Sequence, residues 1–414
     1  MTATFYLTLV LALLVLEYLL DTLTDLLDLR HFHEELPEEF KGFYDQEKYR
    51  TALHYQRDWM IFDTIKRTFL ITVTIAFLLL GGFSAADQLA RAGSSRSVIT
   101  GVLFAGILAA LRFIVQLPFS VYATFEIEKK YGFNKTTVKT YVLDIFKAGL
   151  IIAVIGGPAF ALIVTLFEKA GSNAWLYCWF VITAFQLLLL YLAPAVIMPL
   201  FNKFTPLPDG ELKRAIEGYF QNRKFKLKGI YTMDGSRRST KANAFFTGFG
   251  KFRRLVLFDT LIEKHTTDEL IAVLAHEVGH FERKHIIKFT TISILTTGFM
   301  FYFFSFLIAN PELSSAFKLA QPSIYSSLIF IGFLYSPLSR LLSILVNMLS
   351  RKFEYEADEF SARTSGHPEI LATALKKLSV DNLSHLTPHP LKVLLEYSHP
   401  PVLKRIEALR SPRT

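Results

Sequence analysis

Polar and apolar stretches alternate along this chain on a long period. Seven apolar runs, at about residues 5–20, 68–86, 97–119, 148–166, 175–198, 289–309 and 326–349, are each read as a membrane-crossing helix. Some are interrupted. Gly156-Gly157-Pro158 kinks the fourth, Pro194 and Pro199 close the fifth, and Pro337 breaks the seventh. The first continues through Glu17, Asp21, Asp25 and Asp28, spaced for one helical face. Such a row faces protein interior or water, unless the helix has already emerged into solvent by Asp21. Arg112, deep in the third run, calls for a polar interior or a salt bridge to another helix.

Between the fifth and sixth runs the pattern changes to that of a water-exposed domain. Residues 212–225 are periodic for an amphipathic helix. Residues 230–233 read as a strand stopped by Asp234-Gly235, and 243–247 and 254–258 as two more strands separated by Gly248 and Gly250. Thr266 and Glu269 have capping-box spacing, and Leu270, Val273 and Leu274 form a stripe on the helix they start, which is expected to run on into the sixth span. Residues 350–414 are hydrophilic and mostly helical. The chain therefore divides into 1–199 (spans one to five with loops 30–66 and 120–147), 200–288, 289–349 (spans six and seven) and 350–414.

Composition agrees with a membrane protein: 51% of the 414 residues are hydrophobic and 20% charged. The net charge of +9 could indicate nucleic acid, but no nucleic-acid module is present and a positive-inside bias explains it. The loops after spans one and three hold seven and five Lys/Arg; those after two, four and six hold two, one and one. The N-terminus is thus placed outside and the C-terminus in the cytoplasm, which puts both hydrophilic blocks on the cytoplasmic side. Cys178 is the only cysteine, so no disulfide forms within the chain and a packing role in its apolar segment is expected. No basic n-region or cleavage site marks the start, which reads as a retained membrane helix.

Chemistry concentrates in His276-Glu277-Val278-Gly279-His280. Two histidines four apart share one helical face and can hold one Zn²⁺, with Glu277 beside them to take a proton from an attacking water. Chance would produce the pattern in a chain this long at roughly the one-per-cent level, so a third ligand decides the matter. Glu354 and Asp358 lie four apart on one face; one can ligate while the other orients a ligand histidine. His285 is a rival, but five residues past His280 on a continuous helix it points elsewhere. From His280 to residue 289 is roughly 13 Å of helix, and Glu354 follows the seventh span by five residues, so both halves lie near one membrane face.

These residues resemble the type I CAAX prenyl protease family, integral-membrane zinc endopeptidases. The resemblance runs through Leu117-Pro118-Phe119-Ser120, Gly132-Phe133-Asn134-Lys135-Thr136-Thr137, Asp234-Gly235-Ser236 to Asn243-Ala244-Phe245, and residues 256–261. It continues through the histidine motif, residues 353–358, and Ser398-His399-Pro400-Pro401 with Arg405. It implies an all-α membrane protein with seven transmembrane helices enclosing a water-filled chamber, and a zincin-like cytoplasmic metalloprotease domain containing a small β-sheet. It also implies one Zn²⁺ per chain on His276, His280 and Glu354, and Glu277 as general base. Asp358 then orients a ligand, and His399 and Arg405 surround substrate and oxyanion. Asn243, Ala244 and Phe245 form an edge strand that pairs with an extended peptide. The expected partners are a peptide or protein substrate, lipidated or not, and membrane lipids, for a monomer.

Two other functions remain open to the sequence. Heat-shock membrane proteases that clip misfolded proteins share the histidine motif and the Glu-x-x-x-Asp spacing, but have fewer spans. A seven-helix transporter or receptor could use the acids of span one as an ion path. Intramembrane site-two proteases bury the motif within a span, whereas Glu282, Arg283 and Lys284 follow it here. The tail Arg410-Ser411-Pro412-Arg413-Thr414 lacks a dilysine retrieval signal and the chain is compact for the family, so a bacterial inner membrane is expected over endoplasmic reticulum.

Overall fold

A computed structural model describes residues 2–223, 225, 227–247, 254–308 and 310–411. Gly248, Gly250, residue 309 of the sixth run and the last three residues of the tail lie outside the described residues. Among those described, six helices are long and apolar enough to cross a membrane: Ala3–Arg30, Ser97–Lys130, Val138–Lys169, Gly171–Phe201, His285–Ser305 and Ile324–Ser365. A seventh span exists if Gln46–Leu79 and Gly82–Gly93 are taken together, and these meet at 66°. The expected second span, 68–86, is therefore broken within itself. Gly81 takes φ +82°, and a Cβ on Gly82 would lie 2.3 Å from the Phe77 ring, so the Gly-Gly pair lets the chain fold back. Pro158 and Pro194 lie beside or within a wide π-helical turn, at Ile152–Gly156 and Ala193–Ile197, whereas Pro118 sits inside the α-helix before a third such turn, Ala123–Ile127. A widened turn accommodates the hydrogen bond a proline cannot donate. Pro337 sits inside an unbroken helix.

The spans are held together chiefly at one end. There Tyr6, Phe83, Phe104, Phe167, Phe301, Phe317 and Phe330 belong to one buried apolar cluster. Cys178 is buried in it, as a packing residue should be. Gly101 lets the third span press on Tyr325, where a Cβ would come within 2.7 Å. Farther along, the helices separate. Residues 109–114 of the third span are exposed in succession, more than a full turn, so that stretch has an accessible inner face as well as an outer one. Arg112 is in this stretch, eleven residues and thus almost in line with buried Gly101. It makes no ion pair among the described residues.

The acid row on the first helix faces protein. Asp21 pairs with Arg340 at 2.6 Å and Asp25 with Arg67 at 2.9 Å and Lys392 at 2.5 Å. Asp28 accepts from the His389 backbone N–H at 2.6 Å, and Glu17 from Ser336 at 2.7 Å. The row thus ties the first helix to the second, to the last span and to the C-terminal segment.

The polar regions on the far side are more helical than loops. The second helix begins at Gln46, capped by Asp45, and the third continues to Lys130. Four strands, β1 (Phe204–Pro206), β2 (Gly229–Met233), β3 (Ala244–Thr247) and β4 (Arg254–Phe258), form a sheet in the order β1-β2-β4-β3. β2 and β4 are parallel; the other pairs are antiparallel. β1 is too short and too proline-marked to be read from sequence. Leu255, Leu257, Leu261, Leu270, Leu274 and Val278 join this sheet to the helix carrying the histidines.

Candidate metal centre and active site

The histidine-bearing helix, Thr267–Glu282, starts with the anticipated capping box. Thr266 accepts from the Glu269 backbone N–H at 3.3 Å, and Glu269 accepts from that of Thr266 at 3.0 Å. Its apolar stripe packs on the sheet, which turns His276 and His280 toward the long helix Ile324–Ser365. Gly279 permits the crossing: a Cβ there would lie 3.0 Å from the Ala357 Cα. Ser361 donates to the Ala272 carbonyl at 2.7 Å within the same contact.

This packing brings three donors together. His276 Nε2 and His280 Nε2 are 3.1 Å apart, and Glu354 oxygens lie 3.5 Å from the first and 3.2 Å from the second. Bonds of ~2.0–2.1 Å in a tetrahedron require donors about 3.3 Å apart, so the set fits a small N/O-preferring cation such as zinc. It is the one His/Cys/Asp/Glu group of this kind among the described residues. Asp358 accepts from His276 Nδ1 at 2.8 Å. Without a cation, burial opposes charge on His276, but hydrogen bonds to Asp358 and Glu354 prevail and hold it up at about 9. Burial pushes the Glu277 carboxyl above its ordinary range; nearby Glu354 adds to this, while His276, His280 and Arg405 oppose it.

The other anticipated residues also gather here. His399 places Nε2 3.3 Å from Glu354. Its ring is open to the cleft yet set deep among protein atoms, and that burial keeps its pKa below the ordinary value, leaving it neutral. Arg405 lines the same cleft. Its fork closes on Asp358 at 2.6 and 2.8 Å, with Glu354 at 3.4 Å. Two adjacent buried carboxylates demand a cation, so the guanidinium serves them. β3 is an edge strand, with Ala244 and Phe245 paired to Leu257 and Val256 and Asn243 immediately before it.

A cavity of about 680 Å³ adjoins the centre, lined by Tyr55, Glu128, Lys241, His385, Tyr397, His399 and Arg405 among others. Sequence reasoning missed Tyr55 and Lys241, which meet at 2.9 Å, because they lie far apart in the chain and belong to no motif. It also missed Glu356, and it weighed His285 only as a rival ligand that points away from His280. The histidine helix does not run into the sixth span: it ends at Glu282, Lys284 turns left-handed at φ 58°, and a new helix starts at His285. That break swings His285 back to within 3.0 Å of His280.

Residues 26–203 match the family described as CAAX prenyl protease N-terminal, five membrane helices, and residues 206–413 match peptidase family M48. The chain is 38% identical to the probable CAAX prenyl protease 1 of Schizosaccharomyces pombe, covering 88% of this chain and 80% of that one. It is 33% identical to the CAAX prenyl protease 1 homolog of Arabidopsis thaliana, covering 97% and 96%. The crystal structure of S. mikatae Ste24p superposes with a TM-score of 0.93 at 30% identity, over 98% of this chain and 99% of the other. A transporter or receptor is no longer needed to account for the spans. The chain belongs to the CAAX prenyl protease 1 family of multi-pass membrane metalloendopeptidases, within peptidase family M48.

Proposed function

We propose that this protein is a zinc endopeptidase that cuts peptide bonds near the C-terminus of prenylated proteins, at a site on the cytoplasmic side of its membrane. The observation that carries it is the convergence of His276, His280 and Glu354 beside Glu277, on a helix packed against a sheet in which β3 is an edge strand. The protease unit is assembled from residues 200–288 and 350–414, with 289–349 returning through the membrane between them. The loop-charge bias supports the orientation. For the compartment, the absence of a dilysine retrieval signal in the tail and the compact chain point to a bacterial inner membrane, whereas the relatives named are eukaryotic. The reading carried here is a membrane of either kind with the site facing cytoplasm. The enzyme acts as a monomer.

His276 Nε2, His280 Nε2 and a Glu354 oxygen would hold one Zn²⁺, which when bound polarises the scissile carbonyl and lowers the pKa of water. An extended peptide pairs with the backbone of Asn243, Ala244 and Phe245, where main-chain bonds give register and side chains are read loosely. Glu277 accepts the proton of the attacking water; its raised proton affinity suits it to that work and to returning the proton to the leaving amine. His399, with one ring nitrogen accepting from or donating to Ser398 at 2.9 Å, turns the other toward the oxygen where charge develops. Asp358 fixes the His276 ring, and Arg405 neutralises Asp358 and Glu354.

The test is cleavage of matched peptides with and without a farnesylated cysteine by purified protein. Faster cutting of the lipidated peptide, at one bond near its C-terminus, is expected. Equal rates on both would remove the lipid from the proposal, and cutting that survives His280→Ala would remove the metal centre.

A further inference from the structure

We propose that His285 and Glu356 are positioning residues that lock His280 as an Nε2 metal ligand. This rests on the reading that His276, His280 and Glu354 hold a metal. His280 turns Nε2 toward the other two donors. A neutral imidazole that offers Nε2 to a cation must carry its proton on Nδ1. That Nδ1 is 3.0 Å from His285 Nδ1. If His280 donates there, His285 keeps its lone pair on Nδ1 and its proton on Nε2, which is 3.1 Å from Glu356 Oε2. The carboxylate oxygen is the acceptor at that point. One arrangement of protons satisfies every nitrogen in the series. The opposite tautomer of His280 would aim an N–H at the cation.

The relay is held rigidly. The His285 ring is 1% exposed and stacks on Phe353, with centroids 4.0 Å apart and planes at 3°. Phe353 directly precedes Glu354, so the ring that orients one ligand is docked on the turn that supplies another. The left-handed residue Lys284 lets the chain reverse sharply enough to reach this position. The two ligand histidines are thus oriented in different ways: His276 by Asp358 directly, His280 by Glu356 through an intervening ring. Glu354, Glu356 and Asp358 belong to one stretch of one helix, although Glu356 projects from a different face of it. Outer hydrogen-bond partners of this sort typically change metal affinity ~10–100-fold.

The test uses the full-length protein in detergent and Zn²⁺ alone, with affinity read by chelator competition. The spectrum of the Co²⁺-substituted protein reports the ligand field. His285→Phe retains a ring to stack on Phe353 but ends the relay. It and Glu356→Ala are expected to weaken zinc binding ~10–100-fold and to shift the cobalt bands. Glu356→Gln keeps an acceptor oxygen and should recover most of the affinity. Lys352→Met, which removes only a lysine 3.9 Å from the far Glu356 oxygen, should leave both readouts unchanged. Wild-type affinity and cobalt spectrum in His285→Phe would overturn the relay. If that variant does not fold, the same result in Glu356→Ala overturns it. Zinc binding unaffected by His280→Ala, or absent in the wild type, would instead overturn the metal centre and the relay with it.

Discussion

Glu277 and His276 are adjacent on one turn, and burial acts on them in opposite senses: it favours protonated Glu277 and neutral His276. Only for Glu277 does burial prevail. Glu277→Gln should therefore keep about one zinc per chain while lowering turnover by ~10²–10⁴, measured as metal content beside peptide cleavage. His399→Ala should cost ~10²–10³ in turnover with zinc retained, as for loss of one oxyanion donor. His276 predicts a pH effect on the metal-free protein. Its folded pKa, about 9, lies above its ordinary 6.5. The stability it adds is fully present below pH 6.5 and is lost as pH rises through about 9. The melting temperature of chelator-treated protein should fall across that interval, and zinc should bind more tightly there because it no longer displaces a proton. An unchanged melting temperature would remove His276 as the cause. The candidate metal donors were legible because HExxH and Glu-x-x-x-Asp are local spacings on helices. The direction of Arg405 was not, because it depends on which carboxylate the fold sets in front of it.

At the scale of elements, the centre depends on two helices crossing closely. A methyl on Gly279 would meet backbone and the Phe360 Cβ, both at 3.0 Å, and neither is the end of a flexible chain. Gly279→Ala is expected to destabilise by ~1–3 kcal/mol and to weaken zinc binding, since it prises the histidines from Glu354; thermal melts with and without zinc test this. Thr266→Ala should cost ~1 kcal/mol through the lost cap without touching metal affinity. Capping chemistry and apolar periodicity made this helix readable at its start. Its end was not readable: Arg283-Lys284-His285 carries no glycine or proline, and helical spacing therefore led past the true break to a wrong direction for His285. The bend in the second span had the opposite character. Gly81-Gly82 was visible, but an apolar run hid it, because hydropathy measures where a chain can lie in lipid and not whether it lies straight.

For the whole molecule, seven apolar runs were legible because crossing a bilayer imposes a length. How they stand relative to one another was not, since lipid-facing and chamber-facing surfaces of a helix can both be apolar. The structure joins the spans at one end and lets them part beneath, with the acid row of the first helix pairing to three other parts of the chain. Arg112 then faces the interior space. Arg112→Cys should react readily with a charged, water-soluble thiol reagent. Ile114→Cys, about half a helical turn away, should be protected by detergent or lipid, and buried Cys178 should stay silent. Mass spectrometry of the labelled protein decides it; silence at 112 would mean that water does not reach that face.

The left-handed turn at Lys284 has a mechanical consequence. A helix continuing without interruption from the sixth span would transmit every tilt of that span to the two histidines, and spans tilt as bilayer thickness changes. A joint there frees the histidine helix from the tilt of the sixth span, leaving the contact of His285 with His280 as the link between them. The last span has no such joint, because Ile324–Ser365 is one rigid rod. Membrane deformation would therefore reach the metal centre by two routes: directly along the last span, through Glu354 and Asp358, and from the sixth span only through the contact of His285 with His280.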